Sequence, residues 1–405
     1  MTAQSQGRPP SRVATLLSRL TKPMLGRWIA IALIVLTFSI SAGRPAPAGE
    51  SSAALDKTAL EAIDAAAKRN LQAGSVGVAI AVMHNGRIIF TKGYGRANIE
   101  DDVPVTPETV FRIGSLTKQF TAASVMALAQ EGKLSVDDKL SKFLSEFPRG
   151  GEITLRHLLN HTSGIHDFTD TPEFHQHIER YRQTTANLVD AIEKQSPVFD
   201  FEPGTNIQYT NSGYVLLGAI VEKLSGQSLR DFFKQNLFDK SGMADTSVDD
   251  NADVVPHRAA GYQRPFEHPE LLNNAEFISM TVPGGAGNLR STVGDLVRWH
   301  DALTNGRIIR PQLFQEMTKP GRLNNGKITD MGGGSYGYGL LMDQFEGHPR
   351  IRHGGGIYGF TSQLDTLPDQ RISIAVLFNT NATEGSFKDD VLKIVLASLV
   401  ANREN

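Results

Sequence analysis

The sequence predicts an α/β protein whose β-structure is assembled from both ends of the chain, with a mostly helical region inserted between them. Three observations carry this. A hairpin pattern lies near the start, where apolar runs at 77–83 and 87–90 flank Asn85-Gly86. The middle shows 3.6-residue periodicity punctuated by Gly and Pro. Strand patterns return near the end and are followed by one last amphipathic segment. Strands at both ends with helices between place 49–118 and 290–405 in one α/β unit and 119–289 in a helical insert, behind a leader at 1–48.

Composition narrows the function. The chain has 405 residues, 41 basic and 43 acidic, a net charge of -2 and no long run of one sign, which excludes nucleic acid as a partner. The absence of cysteine excludes disulfides, thiolate metal sites and a cysteine nucleophile. Export is nonetheless expected. Arg12, Arg19, Lys22 and Arg27 precede an apolar run at 28–40, then come Ser41, Ala42 and Gly43 and the small-residue stretch Ala46-Pro47-Ala48. That run is short of the roughly 20 residues that span a bilayer, so it is a cleaved signal, and the mature protein is periplasmic or secreted. The membrane enters only through an uncleaved signal. Met24 would open a more compact signal of the same design.

Taken in order, Pro, Ala, Gly and Ser at 44–52 give a flexible lead-in, and helical spacing of Leu60, Ile63, Ala67 and Leu71 predicts a helix over 56–71. The hairpin follows. An extended segment then leads through Gly114 into a helix that starts at Ser115, passes Ala122, Val125, Met126 and Leu128, and ends near Gly132. Further helices are expected at 155–161, 184–195, 214–224, 229–238 and from Ser291 or Thr292 to Leu303. Strands are expected at 338–342, 359–367 and 372–379, and a closing helix at 387–401.

The chemistry centres on Ser115-x-x-Lys118. Residues three apart on a helix share a face, so the Lys118 amine reaches the Ser115 hydroxyl. A serine is a poor nucleophile until a base takes its proton, and lysine serves once its neutral form is favoured. Alone, such a pair is an ordinary helix start with a serine cap. Two further clusters give it context. Tyr209-Thr210-Asn211 follows the turn Glu202-Pro203-Gly204: the phenol can shuttle protons if neighbouring cations favour its phenolate, and Asn211 can donate to a substrate carbonyl and accept from Lys118. By itself Tyr209 would be a packing residue. Arg352-His353-Gly354-Gly355-Gly356 precedes a strand pattern, and glycines at a strand edge let a substrate backbone approach and offer N–H groups to an oxyanion.

Other patterns carry less. Lys240-Ser241-Gly242 has the look of a helix cap. Gly333-Gly334-Ser335-Tyr336-Gly337 fits a nucleophile elbow but lacks the strand before and the helix after, which leaves Ser335 a glycine-loop residue. His157 and His161 lie four apart, yet Leu158 stands where a zinc protease needs Glu, and His175 and His177 lie in a polar stretch, so no metal and no cofactor is expected.

Ser115-x-x-Lys118, Tyr209-x-Asn211 and His353-Gly354-Gly355, in that order, resemble the serine β-lactamase and penicillin-binding-protein superfamily. The branch it looks most like is that of class C β-lactamases, D-alanyl-D-alanine carboxypeptidases, D-aminopeptidases and esterases. Gly93-Tyr94-Gly95, the run from Ile153 to Gly164 and the run from Ala286 to Thr292 extend the likeness from about Leu55 to Ala401. The resemblance implies an antiparallel sheet flanked by helices with an inserted helical domain and the site between them. It makes Ser115 the acylated nucleophile, Lys118 and Tyr209 the general-base pair, and Asn211, His353, Gly354 and Gly355 substrate contacts, with an oxyanion hole from the N–H groups of Ser115 and Gly356. His353-Gly354-Gly355 replaces the Lys-Thr-Gly usual in class C β-lactamases, removing a fixed cation and a hydroxyl. The function implied is an exported hydrolase of D-amino-acid peptides or small esters whose partner is a small molecule or peptide with an acyl carbonyl. A class C-like β-lactamase and a catalytically silent peptidoglycan- or partner-binding relative are the alternatives.

Overall fold

The structure, a computed structural model, describes residues 54–383 and 385–401. The leader expected at 1–48 lies outside the described residues. Ser51–Asn405 forms one compact unit. Its strands are β1 (Gly77–His84), β2 (Arg87–Asn98), β3 (Val103–Pro104), β4 (Phe111–Arg112), β5 (Ser247–Val248), β6 (Tyr262–Gln263), β7 (Asn273–Asn274), β8 (Leu289–Ser291), β9 (Ser335–Tyr336), β10 (Leu341–Phe345), β11 (His348–Ile357), β12 (Phe360–Leu367) and β13 (Ile372–Phe378).

Eight of them make one antiparallel sheet in the order β3-β2-β1-β13-β12-β11-β10-β9. The β1–β13 pairing, with Ile80 opposite Val376, joins the two ends of the chain. Side chains of a strand alternate between faces, and both faces of these two strands are covered. Val78, Ile80, Val82, Ile374, Val376 and Phe378 pack with the helices Lys57–Gln72 and Phe387–Ala401. Ala79, Ala81, Ala375 and Leu377 face the larger core of the helices Thr117–Gln130, Asn211–Ser225 and Val293–Thr304. The hairpin turns at Asn85 and Gly86 with φ of 51° and 74°, the left-handed pair that matches strand twist. Among the described residues no helix is long and apolar enough to cross a membrane.

Several expected elements shift. Ser115 stands on a 3-10 turn, Gly114–Leu116, one step ahead of the α-helix Thr117–Gln130. The helix expected at 155–161 is Leu155–Leu159, because Asn160 caps it and His161 takes a left-handed φ of 61°. The helix expected from Tyr214 begins at Asn211, since the Thr210 side chain accepts from the Ser212 N–H as its cap. Residues 229–238 divide into the α-helix Leu229–Phe233 and a π-helical turn, Lys234–Phe238. Tyr338 and Leu340 lie outside the strand expected there, which is Leu341–Phe345. His353, Gly354 and Gly355 precede the expected strand, β12, and themselves lie within a further strand, β11, whose glycines conceal it from propensity.

Candidate active site

A small second sheet, β4-β8-β5, places the turn that carries Ser115. Phe111 and Arg112 pair with Ser291 and Arg290, and the Ile113 N–H donates to the Leu289 carbonyl at 3.0 Å. Gly114 then turns the chain with φ of 49°, where a Cβ would come within 2.6 Å of the Gly356 carbonyl oxygen. Only glycine satisfies both the conformation and the close approach. Thr117 locks the turn, donating from its hydroxyl to the Gly114 carbonyl at 2.7 Å and accepting from the Leu289 N–H at 3.1 Å.

Lys118 is fully buried one helical turn on, with Nζ 3.1 Å from Ser115 Oγ. Its other two neighbours, the Asn211 side-chain oxygen at 2.8 Å and the Ala286 carbonyl at 2.9 Å, can only accept. A neutral amine has two N–H donors and one lone pair, so the two acceptors take the donors and the lone pair faces the Ser115 hydroxyl. Burial draws the Lys118 pKa down to about 7, against the opposing pull of Asp167. The amine is therefore substantially neutral near pH 7.

Tyr209 lies beside this pair. Nζ of Lys118 stands 4.6 Å from the centre of its ring, and the Ser115 hydroxyl lies close enough to its phenol to favour the ionised form. His161 lies tilted against the ring at 4.4 Å and Tyr336 meets it edge-on at 6.5 Å. Burial pushes the Tyr209 pKa up against the opposing influence of Ser115. The condition set for a phenolate is not met, because burial outweighs its neighbours; the group is held as a neutral phenol, which can donate as well as accept.

The third cluster differs more. His353 is buried, with Nδ1 donating to the Gly354 carbonyl at 2.6 Å and Nε2 accepting from the Tyr336 hydroxyl at 2.8 Å. Both ring nitrogens are thus engaged, and burial draws its pKa down to about 4. The partly protonated histidine expected as a substrate contact is instead a neutral framework residue. Gly355 lets the Ile113 carbonyl close on β11, since a Cβ there would lie 2.1 Å from that oxygen, and Ser362 donates to the same carbonyl at 2.8 Å. Gly354 has Gln363 at its back. Neither glycine is among the residues lining the cleft at Ser115, whereas Gly356 is. The β10 pairing ends at Arg352, so the edge of 354–357 away from β12 is turned to the Ser115 turn.

Residues 59–399 match the β-lactamase family. The chain belongs to that family. Penicillin-binding protein 4* of Bacillus subtilis is 30% identical over 312 residues, 74% of this chain and 67% of its own length. A D-aminopeptidase of Gluconobacter oxydans is 27% identical over 75% of this chain and 55% of its own, so the chain spans little more than half of that relative. Among solved structures, the D-amino acid amidase of Ochrobactrum anthropi SV3 complexed with D-phenylalanine has a TM-score of 0.74 at 26% identity, covering 84% of this chain and 99% of that one. The octameric penicillin-binding protein homologue of Pyrococcus abyssi has a TM-score of 0.72 at 28% identity, covering 85% and 78%. The antiparallel sheet flanked by helices is the architecture these family members share with it.

Within this β-lactamase-family site, three groups escaped sequence reasoning. Asp167 accepts from the Asn211 backbone N–H at 2.9 Å and from its amide at 3.0 Å, aiming the Asn211 oxygen at Lys118. Tyr336 belongs to the glycine-rich stretch set aside as a loop, yet it pairs in β9 and holds His353. Ala286, the third neighbour of Lys118, came to notice only inside a stretch quoted for its family likeness. Lys240-Ser241-Gly242 ends a short helix with Gly242 left-handed, a cap as read. His157 closes a capping box with Thr154, and His161 lies under Tyr209. His175 stands in a π-helical turn, Phe174–Ile178, at the cleft.

Proposed function

We propose that the chain is a serine hydrolase that forms an acyl-enzyme on Ser115 and acts on amides or esters of D-amino acids. The observation that carries this is the 3.1 Å contact between Ser115 and a buried lysine whose two other neighbours can only accept. The Ser115 proton passes to Lys118 as Oγ bonds to the substrate carbonyl carbon. The N–H groups of Ser115 and Gly356 hold the resulting oxyanion. Tyr209 donates its phenolic proton to the departing amine or alcohol and regains one from the Lys118 ammonium; water then enters by the same relay and releases the acid. The relatives named as a D-aminopeptidase and a D-amino acid amidase support a D-amino-acid substrate.

No lysine or arginine is among the described residues lining the cleft, and His353 is neutral and engaged. Apart from His175, a free substrate carboxylate would find no cationic side chain among the described lining residues, which favours amides and esters over the carboxypeptidase reaction. Assay of the purified protein against D-alanine p-nitroanilide, p-nitrophenyl acetate, D-alanyl-D-alanine and penicillin G tests this. Turnover of the anilide and ester with little of the dipeptide is expected. A kcat/KM for the dipeptide or for penicillin above that for the anilide would overturn it. Export of the chain is part of the same proposal, and fractionation of expressing cells checks it.

A further inference from the structure

Beside Ser115 the cleft opens into a cavity of about 250 Å³. Its walls are apolar for the most part: Phe168, Phe174, Ile278, Val282, Ile357 and the ring of Tyr358. Two segments that carry no catalytic motif supply four of these. Phe168 stands on the 3-10 turn Phe168–Asp170 and Phe174 opens the π-helical turn Phe174–Ile178, and their rings meet edge to face at 5.4 Å and 89°. Ile278 and Val282 come from the segment after β7, anchored where Asn251 donates to the Ile278 carbonyl at 3.0 Å and Ser279 N–H donates to the Glu179 carbonyl at 2.8 Å. The Tyr358 hydroxyl donates to Glu179 at 2.7 Å, so its polar end is already engaged.

We infer that this cavity receives the side chain on the acyl half of the substrate, and that Phe168, Phe174, Ile278 and Ile357 select apolar, ring-sized side chains over small or charged ones. The inference rests on the acyl-enzyme reading above and adds its substrate class. An ionised side chain entering the cavity meets no Asp, Glu, Lys or Arg among the lining residues. It would leave water without a compensating charge, which disfavours binding strongly. A methyl side chain leaves most of the cavity unfilled and forgoes the apolar burial that a ring gains. Thr169, Asn211 and Ser115 are polar positions in the same lining, with the Asn211 amide committed to Asp167, and exposed His175 stands against Phe174.

The experiment compares kcat/KM for the p-nitroanilides of D-phenylalanine, D-alanine and D-aspartate in the wild type, Phe174→Ala and Ile357→Ser. The wild type is expected to favour phenylalanine over alanine about 10-fold or more and over aspartate about 100-fold or more. Each variant is expected to narrow the phenylalanine-to-alanine ratio several-fold. Ile357 is half-buried in the wall, so Ile357→Ser serves where Phe174→Ala fails to fold. Equal rates on aspartate and phenylalanine, or ratios that both folded variants leave untouched, would overturn the assignment. Fluorophosphonate labelling of the wild type at Ser115 separates the two levels: labelling without side-chain selectivity defeats this inference alone, and absent labelling defeats the acyl-enzyme reading beneath it.

Discussion

Asp167→Asn is the most discriminating perturbation of the proposed proton relay, because it should improve activity on one side of neutrality only. Asn211 bridges the two groups, its oxygen 2.8 Å from Lys118 Nζ and its amide nitrogen 3.0 Å from Asp167. The charges therefore stand about 7 Å apart, and at an effective dielectric constant near 20 their attraction is about 2 kcal/mol, on the order of one and a half pKa units. Asp167 opposes the burial that brings Lys118 to about 7. Removing its charge lowers the lysine pKa further, so the ascending limb of kcat/KM should move from about pH 7 to about pH 5.5. The neutral fraction at pH 6 rises from about one-tenth to about three-quarters, a gain of about eight-fold, while nothing changes at pH 9, where Lys118 is neutral in both enzymes. Asparagine retains an oxygen to accept from the Asn211 N–H. A pH profile of p-nitrophenyl acetate hydrolysis from pH 5 to 10 reads this directly. A limb that stays in place or moves upward refutes the neutral-lysine mechanism.

Further expectations follow from the same geometry. Gly114→Ala forces a side chain into a left-handed turn within 2.6 Å of the Gly356 carbonyl, and should cut acylation about 100-fold or more by displacing Ser115 from Gly356, measured as the fluorophosphonate labelling rate. Tyr336→Phe leaves the His353 Nε2 without its donor and should cost about 1 to 3 kcal/mol, seen as a melting temperature several degrees lower. Burial draws His300 down to about 3 and His353 to about 4, so the folded state resists protonation that the unfolded chain accepts below about pH 6.5. Stability is therefore complete above pH 6.5 and lost as the pH falls toward 4, which a series of melting curves across that window checks.

What could be read from the sequence was whatever local spacing determines. Ser115 and Lys118 share a face by helical geometry alone, Asn85-Gly86 announces its turn, and the closing helix Phe387–Ala401 carries its own periodicity. Elements set by tertiary pairing were hidden. β11 contains three consecutive glycines, and its strand conformation comes from backbone pairing with β10 and β12. Whether His353 would be a charged contact or a neutral framework residue depended on burial and on Tyr336, 17 positions away in a stretch that resembles a loop. Tyr209 was assigned to the site from its neighbours in sequence, while its ionisation follows from rings contributed by distant segments. Asp167 acts through Asn211, 44 positions on, and carries no local signature.

The proposed mechanism stands or falls on Ser115 being a nucleophile activated by Lys118. Intact-mass measurement of the purified protein after exposure to a fluorophosphonate, beside Ser115→Ala and Lys118→Ala, tests it most directly. One adduct per wild-type chain, mapped to Ser115 and forming faster as the pH rises through about 7, is the predicted result, with Ser115→Ala unlabelled and Lys118→Ala slower by about 100-fold or more. An adduct on another residue, or equal labelling of wild type and Lys118→Ala, would contradict it.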